Sequence, residues 1–179
     1  MEENMDFSTS QESLTLYKLI VLYMLEKVAF PLTQSQISEF VLDKGYTDYL
    51  TLQKVLSELN ITNLVNAFTT HNRTQLTITA EGKETLGFFE NRIGEAIKRE
   101  IDEYLKENSF ELRNEVSVVS NYYKTVNGDY EAALWAKDRD TTLVEIKMSV
   151  PTPHLAASIC DNWLKKNQEV YQILTKMLF

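Results

Sequence analysis

The sequence predicts an α+β fold, with helices and one β-hairpin in the first half of the chain and a sheet with a long helix in the second. Apolar residues recur at helical spacing through most of residues 11–60. Apolar and polar residues alternate instead in residues 73–79 and in segments after Asn108. Helical spacing returns after Thr152. The second half is therefore predicted to be a three-stranded antiparallel β-meander packed by a long C-terminal helix.

Composition restricts the class of protein. The chain has 179 residues, of which 44% are hydrophobic and 25% charged, as in a soluble globular protein of one domain or two small ones. The single cysteine, Cys160, excludes an internal disulfide and fits a reducing compartment. Residues 1–9 lack the apolar run of a signal peptide, and the longest apolar run, Leu19–Leu25, is far shorter than the ~20 residues that cross a bilayer. We therefore expect a cytoplasmic protein without membrane contact.

The formal net charge of −8 counts against a protein that holds nucleic acid by broad charge neutralisation. Net charge is a sum, whereas recognition is local, so a single surface can still bind DNA. Within residues 46–79 the cations Lys54 and Arg73 are balanced by Asp48 and Glu58. Attraction to phosphates is therefore expected to be weak there.

The first predicted helix runs from Gln11 to Val28, and residues 1–10 are expected to be flexible. Apolar residues at helical spacing form a stripe that is wider than one face: Leu14, Leu16, Tyr17, Leu19, Ile20, Val21, Tyr23, Met24 and Val28. A helix that is apolar most of the way round is buried on two sides. Its second side is either a subunit interface or covered by the second half of the chain, and the sequence favours neither alternative.

Two further helices follow. Thr33 and Gln36 have the spacing of a capping box and predict a helix that ends at Lys44-Gly45. The third helix is predicted over about residues 47–60. Four of its residues are expected to face inward: Leu52, Val55, Leu56 and Leu59.

A hairpin and two more helices complete the first half. Residues 64–70 and 73–79 are rich in β-forming residues, with His71-Asn72 as the turn between them. Thr79 is the predicted N-cap of the next helix. The apolar stripe that follows is interrupted near Asn91, which predicts two helices rather than one.

The second half contains three predicted strands and one long helix. The strands are Val116–Thr125, Tyr130–Lys137 and Leu143–Val150, and Thr152-Pro153 begins the helix. The predicted divisions are a flexible N-terminus, a first domain, a connecting helix and a β-β-β-α domain, at residues 1–10, 11–92, 93–108 and 109–179.

The order helix, helix, turn, helix, hairpin, helix is that of a winged helix-turn-helix. Three segments, Leu32–Phe40, Thr51–Leu59 and Thr74–Gly82, resemble bacterial repressors of the MarR and PadR types. In those families a Leu-Thr-x-x-Gly string ends the hairpin, or wing, and Ile78–Gly82 matches it with Ile in place of Leu. The resemblance implies a winged helix-turn-helix over the first half of the chain.

Most of the chain also resembles a bacterial family of uncharacterised proteins, mostly from Gram-positive anaerobes, described as predicted transcriptional regulators. Five strings carry this resemblance: Tyr17–Ile20, Phe30–Thr33, Lys44–Thr47, Thr70–Thr74 and Cys160–Trp163. It implies a shared architecture without a demonstrated chemistry.

A DNA-binding protein of this fold places its third helix in the major groove. Lys54 suits guanine or phosphate, and Gln53 suits adenine. Leu50 and Thr51 suit the methyl group of thymine. The amides near Ser35 suit a phosphate, and the hairpin tip suits the minor groove or backbone. The predicted DNA-binding residues are Ser35, Thr47, Leu50, Thr51, Gln53, Lys54, Ser57, His71, Asn72 and Arg73.

We therefore expect a sequence-specific DNA-binding transcriptional regulator whose contacts are weak and salt-sensitive. A homodimer through the N-terminal helix and the C-terminal half would double the few contacts. The C-terminal half is expected to dimerise or to sense a signal. The alternative is a winged helix that serves as a protein-interaction or scaffold module without DNA binding.

No catalytic or metal-binding arrangement is predicted, so we expect neither an enzyme nor a cofactor. His154 and Cys160 lie six positions apart, whereas a metal-binding pair on a helix needs three or four, and Cys160 is interpreted as a core residue. Trp163 is predicted to anchor the last helix on the sheet. Four aromatic residues of the meander are interpreted as core, with an effector pocket as the alternative: Tyr122, Tyr123, Tyr130 and Trp135.

Overall fold

The computed structural model describes residues 3–71, 73–138 and 141–179. Within them the predicted α+β class is confirmed, with seven α-helices and two three-stranded antiparallel sheets. Contacts divide the chain into two compact units. The first comprises Met1–Phe68 and Gln75–Arg113, and the second comprises Thr69–Thr74 and Asn114–Phe179. No helix in the described part of the chain combines the length and apolarity needed to span a membrane.

Helices dominate the first part of the chain. In order, the elements are α1 (Glu3–Glu26), β1 (Leu32–Thr33), α2 (Gln34–Asp43), α3 (Tyr49–Ile61), β2 (Val65–Thr69), β3 (Thr74–Ile78), α4 (Ala80–Phe89) and α5 (Glu95–Glu107). The later elements are α6 (Ser109–Ser117), β4 (Val118–Lys124), β5 (Tyr130–Asp138), β6 (Thr141–Val150) and α7 (Pro153–Leu178).

Helix α1 is longer than predicted and is covered within its own unit. It begins at Glu3 rather than at Gln11, because the apolar stripe marks only the buried part of a helix. Leu19–Leu25 are each 4% exposed or less. Helices α3, α4 and α5 of the same unit pack against α1. The wide apolar surface of α1 is therefore the centre of the first unit.

Local capping fixes the starts of α2 and α3. The Thr33 hydroxyl accepts a hydrogen bond from the Gln36 amide at 3.1 Å, and Gln36 Oε1 accepts one from the Thr33 amide at 2.8 Å. This is the predicted capping box. Asp48 caps α3 by accepting a hydrogen bond from the Thr51 amide at 3.0 Å. Because β1 also pairs with β3, through Leu32 opposite Leu76, the start of α2 is held beside the sheet of order β1-β3-β2.

Gly82 allows a close approach between α4 and the chain that precedes β2. The Thr79 hydroxyl caps α4 by accepting a hydrogen bond from the Gly82 amide at 2.9 Å. The Leu64 carbonyl accepts a hydrogen bond from the Thr79 amide at 3.1 Å. A Cβ on residue 82 would overlap the Leu64 carbonyl oxygen and lie 2.8 Å from Ile78 Cγ1. The glycine that ends the Ile78–Gly82 string is therefore required by packing.

The region after α4 contains the predicted interruption between two helices and one helix, α6, that was not predicted. A short 3-10 turn at Glu90–Arg92 separates α4 from α5, as the interruption near Asn91 predicts. Residues 109–117 form α6, although the prediction placed the first strand from Val116. Leu112 and Val116 are buried four positions apart, so helical periodicity is present over too short a segment to stand out.

The second unit contains the predicted meander and long helix. Strands β4, β5 and β6 pair antiparallel in sequence order, and α7 packs against all three. Trp163 is 3% exposed and donates a hydrogen bond from Nε1 to the Trp135 carbonyl at 3.1 Å. Its predicted role as the anchor of the helix on the sheet is confirmed.

Replacement of Gly82 by alanine is expected to lower the free energy of unfolding by about 1–3 kcal/mol, because the new methyl group must displace backbone. Gly87 in the same helix is the matched control, since a Cβ there meets no atom within 4 Å. Gly87→Ala should raise stability by about 0.5–1 kcal/mol. Urea denaturation measures both values, and equal effects of the two substitutions would contradict the close packing at Gly82.

Candidate nucleic-acid interface

The outer face of α3 is the most exposed part of the predicted interface. Its inner face is occupied by four buried residues: Leu52, Val55, Leu56 and Leu59. Leu50, Lys54 and Ser57 are exposed on the other side, as predicted. Ile61, which was not predicted as a site residue, is 78% exposed and follows Ser57 by one helical turn. The sequence contains a signal for Ile61, because it continues the helical spacing of Leu50, Lys54 and Ser57 by one more turn.

Lys54 is the only cation of α3, and it lies beside a carboxylate. Its Nζ is 4.0 Å from Glu58 Oε1. Glu58 Oε2 also lies 2.6 Å from Lys18 Nζ. This contact is the main cause of the lowered pKa of the Glu58 carboxyl. The Lys54 side chain is 60% exposed, so its ammonium group faces solvent despite the weak pair.

Thr51 and Gln53 make contacts within the first unit. The Thr51 hydroxyl donates to Asp48 Oδ2 at 2.6 Å, and the Thr51 hydrogen bonds lower the pKa of the Asp48 carboxyl. Gln53 Oε1 accepts a hydrogen bond from Gln34 Nε2 at 2.5 Å, which links α3 to α2. Gln53 Nε2 is buried and has no hydrogen-bond partner among the described residues. These two side chains stabilise the start of α3 and its packing on α2.

Two predicted residues lie at helix starts. Ser35 is exposed in the first turn of α2, where backbone amides without helical partners are available to an anion. Thr47 is half-buried and immediately precedes the Asp48 cap of α3.

The tip of the β2–β3 hairpin makes its contacts within the second unit. The His71 ring lies 4.7 Å from the Tyr122 ring, centroid to centroid, and its Nε2 is 3.8 Å from Asp161 Oδ1. Arg73 Nη1 donates a hydrogen bond to the Glu115 carbonyl at 2.5 Å, and Arg73 Nε is 3.7 Å from Glu115 Oε1. Asn72 lies outside the described residues.

The core prediction for the second unit is confirmed for Cys160, Tyr122 and Tyr130 and is wrong for Tyr123, which is 47% exposed and donates a hydrogen bond to the Glu131 carboxylate. Trp135 is half-buried. Tyr122 and Tyr130 pack against the buried cluster of that unit. Cys160 is 0% exposed, and burial raises the pKa of its thiol. Its backbone carbonyl accepts a hydrogen bond from the Ser120 hydroxyl at 3.3 Å.

Residues 17–178 match the family described as a domain of unknown function, DUF4364, and the chain belongs to this family. The chain matches no curated protein and no solved structure. Membership therefore assigns no activity, and a functional proposal depends on the geometry of the α3 face.

Cys160 is expected to resist a thiol reagent such as dithionitrobenzoate in the folded protein and to react on unfolding, because the buried thiol is inaccessible and its pKa is raised. Burial raises the pKa of the Cys160 thiol in the folded state only. The protonated thiol therefore makes its full contribution to the stability of the folded protein below the pKa of the unfolded thiol. That contribution is lost as the pH rises above this value. Absorbance at mildly alkaline pH, with and without guanidinium, measures the reaction.

Ser57→Cys, made in a Cys160→Ala background, is the matched control for this labelling. Its thiol lies on the exposed face of α3 and should react in the folded protein. Rapid labelling of Cys160 in the folded wild-type protein would contradict its burial.

Proposed function

We propose that this member of the DUF4364 family is a sequence-specific DNA-binding transcriptional regulator. The single observation that carries the proposal is the exposed outer face of α3, in which Leu50, Lys54 and Ser57 follow one another at helical spacing. Such a face supplies one cation, one hydroxyl group and one apolar side chain to base edges in a major groove.

The arrangement around α3 supports a winged helix-turn-helix. Strand β1 immediately precedes α2, and the β2–β3 hairpin follows α3. The sheet order β1-β3-β2 joins this hairpin to the start of α2. In this proposal α2 directs its first amides toward a phosphate, while α3 enters the groove.

The proposed binding depends on base contacts more than on phosphate contacts. Lys54 contacts guanine or phosphate after leaving its 4.0 Å pair with Glu58. Leu50, which is 77% exposed, contacts a thymine methyl. Since α3 offers one cation, non-specific affinity is expected to be low, and the salt sensitivity expected from the sequence is limited to a shallow slope.

A homodimer is part of the proposal because two-fold symmetry doubles these contacts. The Leu19–Leu25 run of α1 is buried within the first unit, so the interface is proposed to lie in the second unit. The last turns of α7 support this location, with Ile173, Met177 and Leu178 exposed.

A second candidate function, a protein-interaction module, is favoured by the apolar character of the same face. Tyr49, Leu50 and Ile61 are each more than half exposed. Large exposed apolar side chains are typical of surfaces that bind proteins. If this function is correct, Leu50→Ser and Ile61→Ser abolish capture of a protein partner, and the purified protein enriches no DNA sequence.

Selection of genomic fragments by the purified protein is expected to enrich a sequence with two-fold symmetry. Lys54→Ala should weaken binding to that sequence by about tenfold and lower the salt slope by about 1, as for loss of one phosphate or guanine contact. Leu50→Ala should relax the sequence preference without changing the salt slope. Fluorescence anisotropy over a range of salt concentrations measures both effects.

The matched control for Lys54→Ala is Lys124→Ala, which removes an exposed lysine at the end of β4 in the second unit. It should bind the enriched sequence like the wild-type protein. The proposal is wrong if no sequence is enriched, or if Lys54→Ala and Lys124→Ala bind equally well.

Glu115→Gln is expected to strengthen DNA binding by about twofold to fivefold, the equivalent of one part-exposed ion pair. The substitution removes the carboxylate charge 3.7 Å from Arg73 Nε and leaves the guanidinium more available to a phosphate. The double variant Glu115→Gln/Arg73→Ala should lose the gain. Persistence of the gain without Arg73 would show that the hairpin tip does not contact DNA.

A further inference from the structure

A cavity of about 320 Å³ lies in the first unit, and no residue of α3 lines it. It is bounded by the end of α1 and the segment after it, by α5 and by the start of α6. Val28, Phe30 and Leu105 supply an apolar wall. Ser109, the first residue of α6, adds a hydroxyl group. The cavity therefore offers both an apolar and a polar surface to a ligand.

Three cations line this cavity: Lys27, Lys106 and Arg113. Among the described residues, none of them has a carboxylate within 4.0 Å. Lys18 and Lys98, by contrast, each have a carboxylate within 4.0 Å. The side chain of Tyr23 and the carboxylates of Asp102 and Glu90 raise the pKa of Lys27, so Lys106 and Arg113 are the cations that give the cavity its positive potential.

Aromatic rings hold two of these cations without neutralising them. The Arg113 guanidinium carbon lies 5.4 Å from the centroid of the Phe30 ring. Lys27 Nζ lies 4.8 Å from the centroid of the Tyr23 ring. A guanidinium that stacks on a ring keeps its edge N–H groups available, and this edge matches the two oxygens of a carboxylate or phosphate.

The single acidic lining residue, Asp102, limits where a negative ligand group can lie. The Tyr23 hydroxyl donates to both Asp102 oxygens at 3.4 Å. Its carboxylate repels an anion close to it, so the charged group of a ligand is favoured at a position away from Asp102. Removal of the Asp102 charge should consequently strengthen anion binding.

We propose that this cavity binds a small organic anion, whose carboxylate or phosphate group contacts Lys106 and Arg113 while its apolar group packs on Val28, Phe30 and Leu105. Ser109 donates a hydrogen bond to the same anionic group. This site is independent of DNA binding at α3. It also differs from the aromatic cluster of the meander, which is the location of the alternative effector pocket.

Three probes of matched size test the proposal: phenylacetate, phenyl phosphate and the neutral phenylacetamide. Titrations of the full chain, followed by two-dimensional NMR of the backbone amides, measure each dissociation constant. At least one anion should bind about tenfold more tightly than phenylacetamide and shift the amides of Phe30, Ser109 and Arg113. The two anions separately show whether a carboxylate or a phosphate is preferred.

Substitutions should change anion affinity in opposite directions. Arg113→Gln and Lys106→Gln are each expected to weaken binding about fivefold to tenfold, whereas Asp102→Asn should strengthen it about twofold or more. Lys124→Gln in the second unit is the control and should leave affinity unchanged. Thermal unfolding of each variant checks that it is folded, and the opposite sign for Asp102→Asn separates charge recognition from a loss of structure.

The proposal is overturned by any of three results. Phenylacetamide binds as tightly as the anions, no probe shifts the amides around the cavity, or Arg113→Gln and Lys106→Gln bind like the wild-type protein. None of these results bears on DNA binding, which the Lys54→Ala experiment tests separately.

Discussion

Burial of the Leu19–Leu25 run in α1 is the constraint on which the first unit depends. Consecutive residues of a helix point in all directions, so seven neighbouring residues that are each 4% exposed or less require packing on every side. Helices α3, α4 and α5 provide it. Each of these helices therefore directs an apolar stripe toward α1, and only its outer face is available for other chemistry.

Charge is distributed along the chain in a way that the net value of −8 does not reveal. An acidic excess places carboxylates beside Lys18, Lys54 and Arg73, which lowers the attraction of these cations for phosphates. The cavity beside α5 differs, because aromatic rings contact two of its three cations, Lys27 and Arg113. A small anion and a DNA duplex would therefore meet different electrostatic surfaces on the same unit.

Local signals in the sequence predicted much of the fold because their physical causes are local. The Thr33–Gln36 capping box joins residues three positions apart, and Trp163 lies on the periodic apolar side of α7. The outer face of α3 followed from helical spacing in the same way. Helix α6 and the two-residue strand β1 were not predicted. Two buried residues in one short helix form too weak a pattern, and β1 is defined by its pairing with β3.

Tertiary contacts account for the part of the candidate site that was not predicted. Arg73 pairs with Glu115, and His71 pairs with Asp161. The partners in each pair are far apart in the sequence, so no periodicity or short motif predicts the contact. The hydrogen bond between Gln34 and Gln53 could not be predicted either, because the sequence of each helix alone predicts an exposed polar side chain at these positions. The cations of the cavity likewise come from three separate segments of the chain.

The grouping of Thr69–Thr74 with Asn114–Phe179 makes the second unit discontinuous along the chain. The hairpin strands are synthesised well before the residues that the hairpin tip contacts. Bringing these distant segments of the chain together has an entropic cost, which slows the formation of the contacts. The contacts of the hairpin tip with Tyr122 and Asp161 can therefore form only after β4 and this part of α7 have been synthesised. A fragment that ends after α5 would keep both strands of the hairpin but would lack Glu115, Tyr122 and Asp161 as partners for its tip.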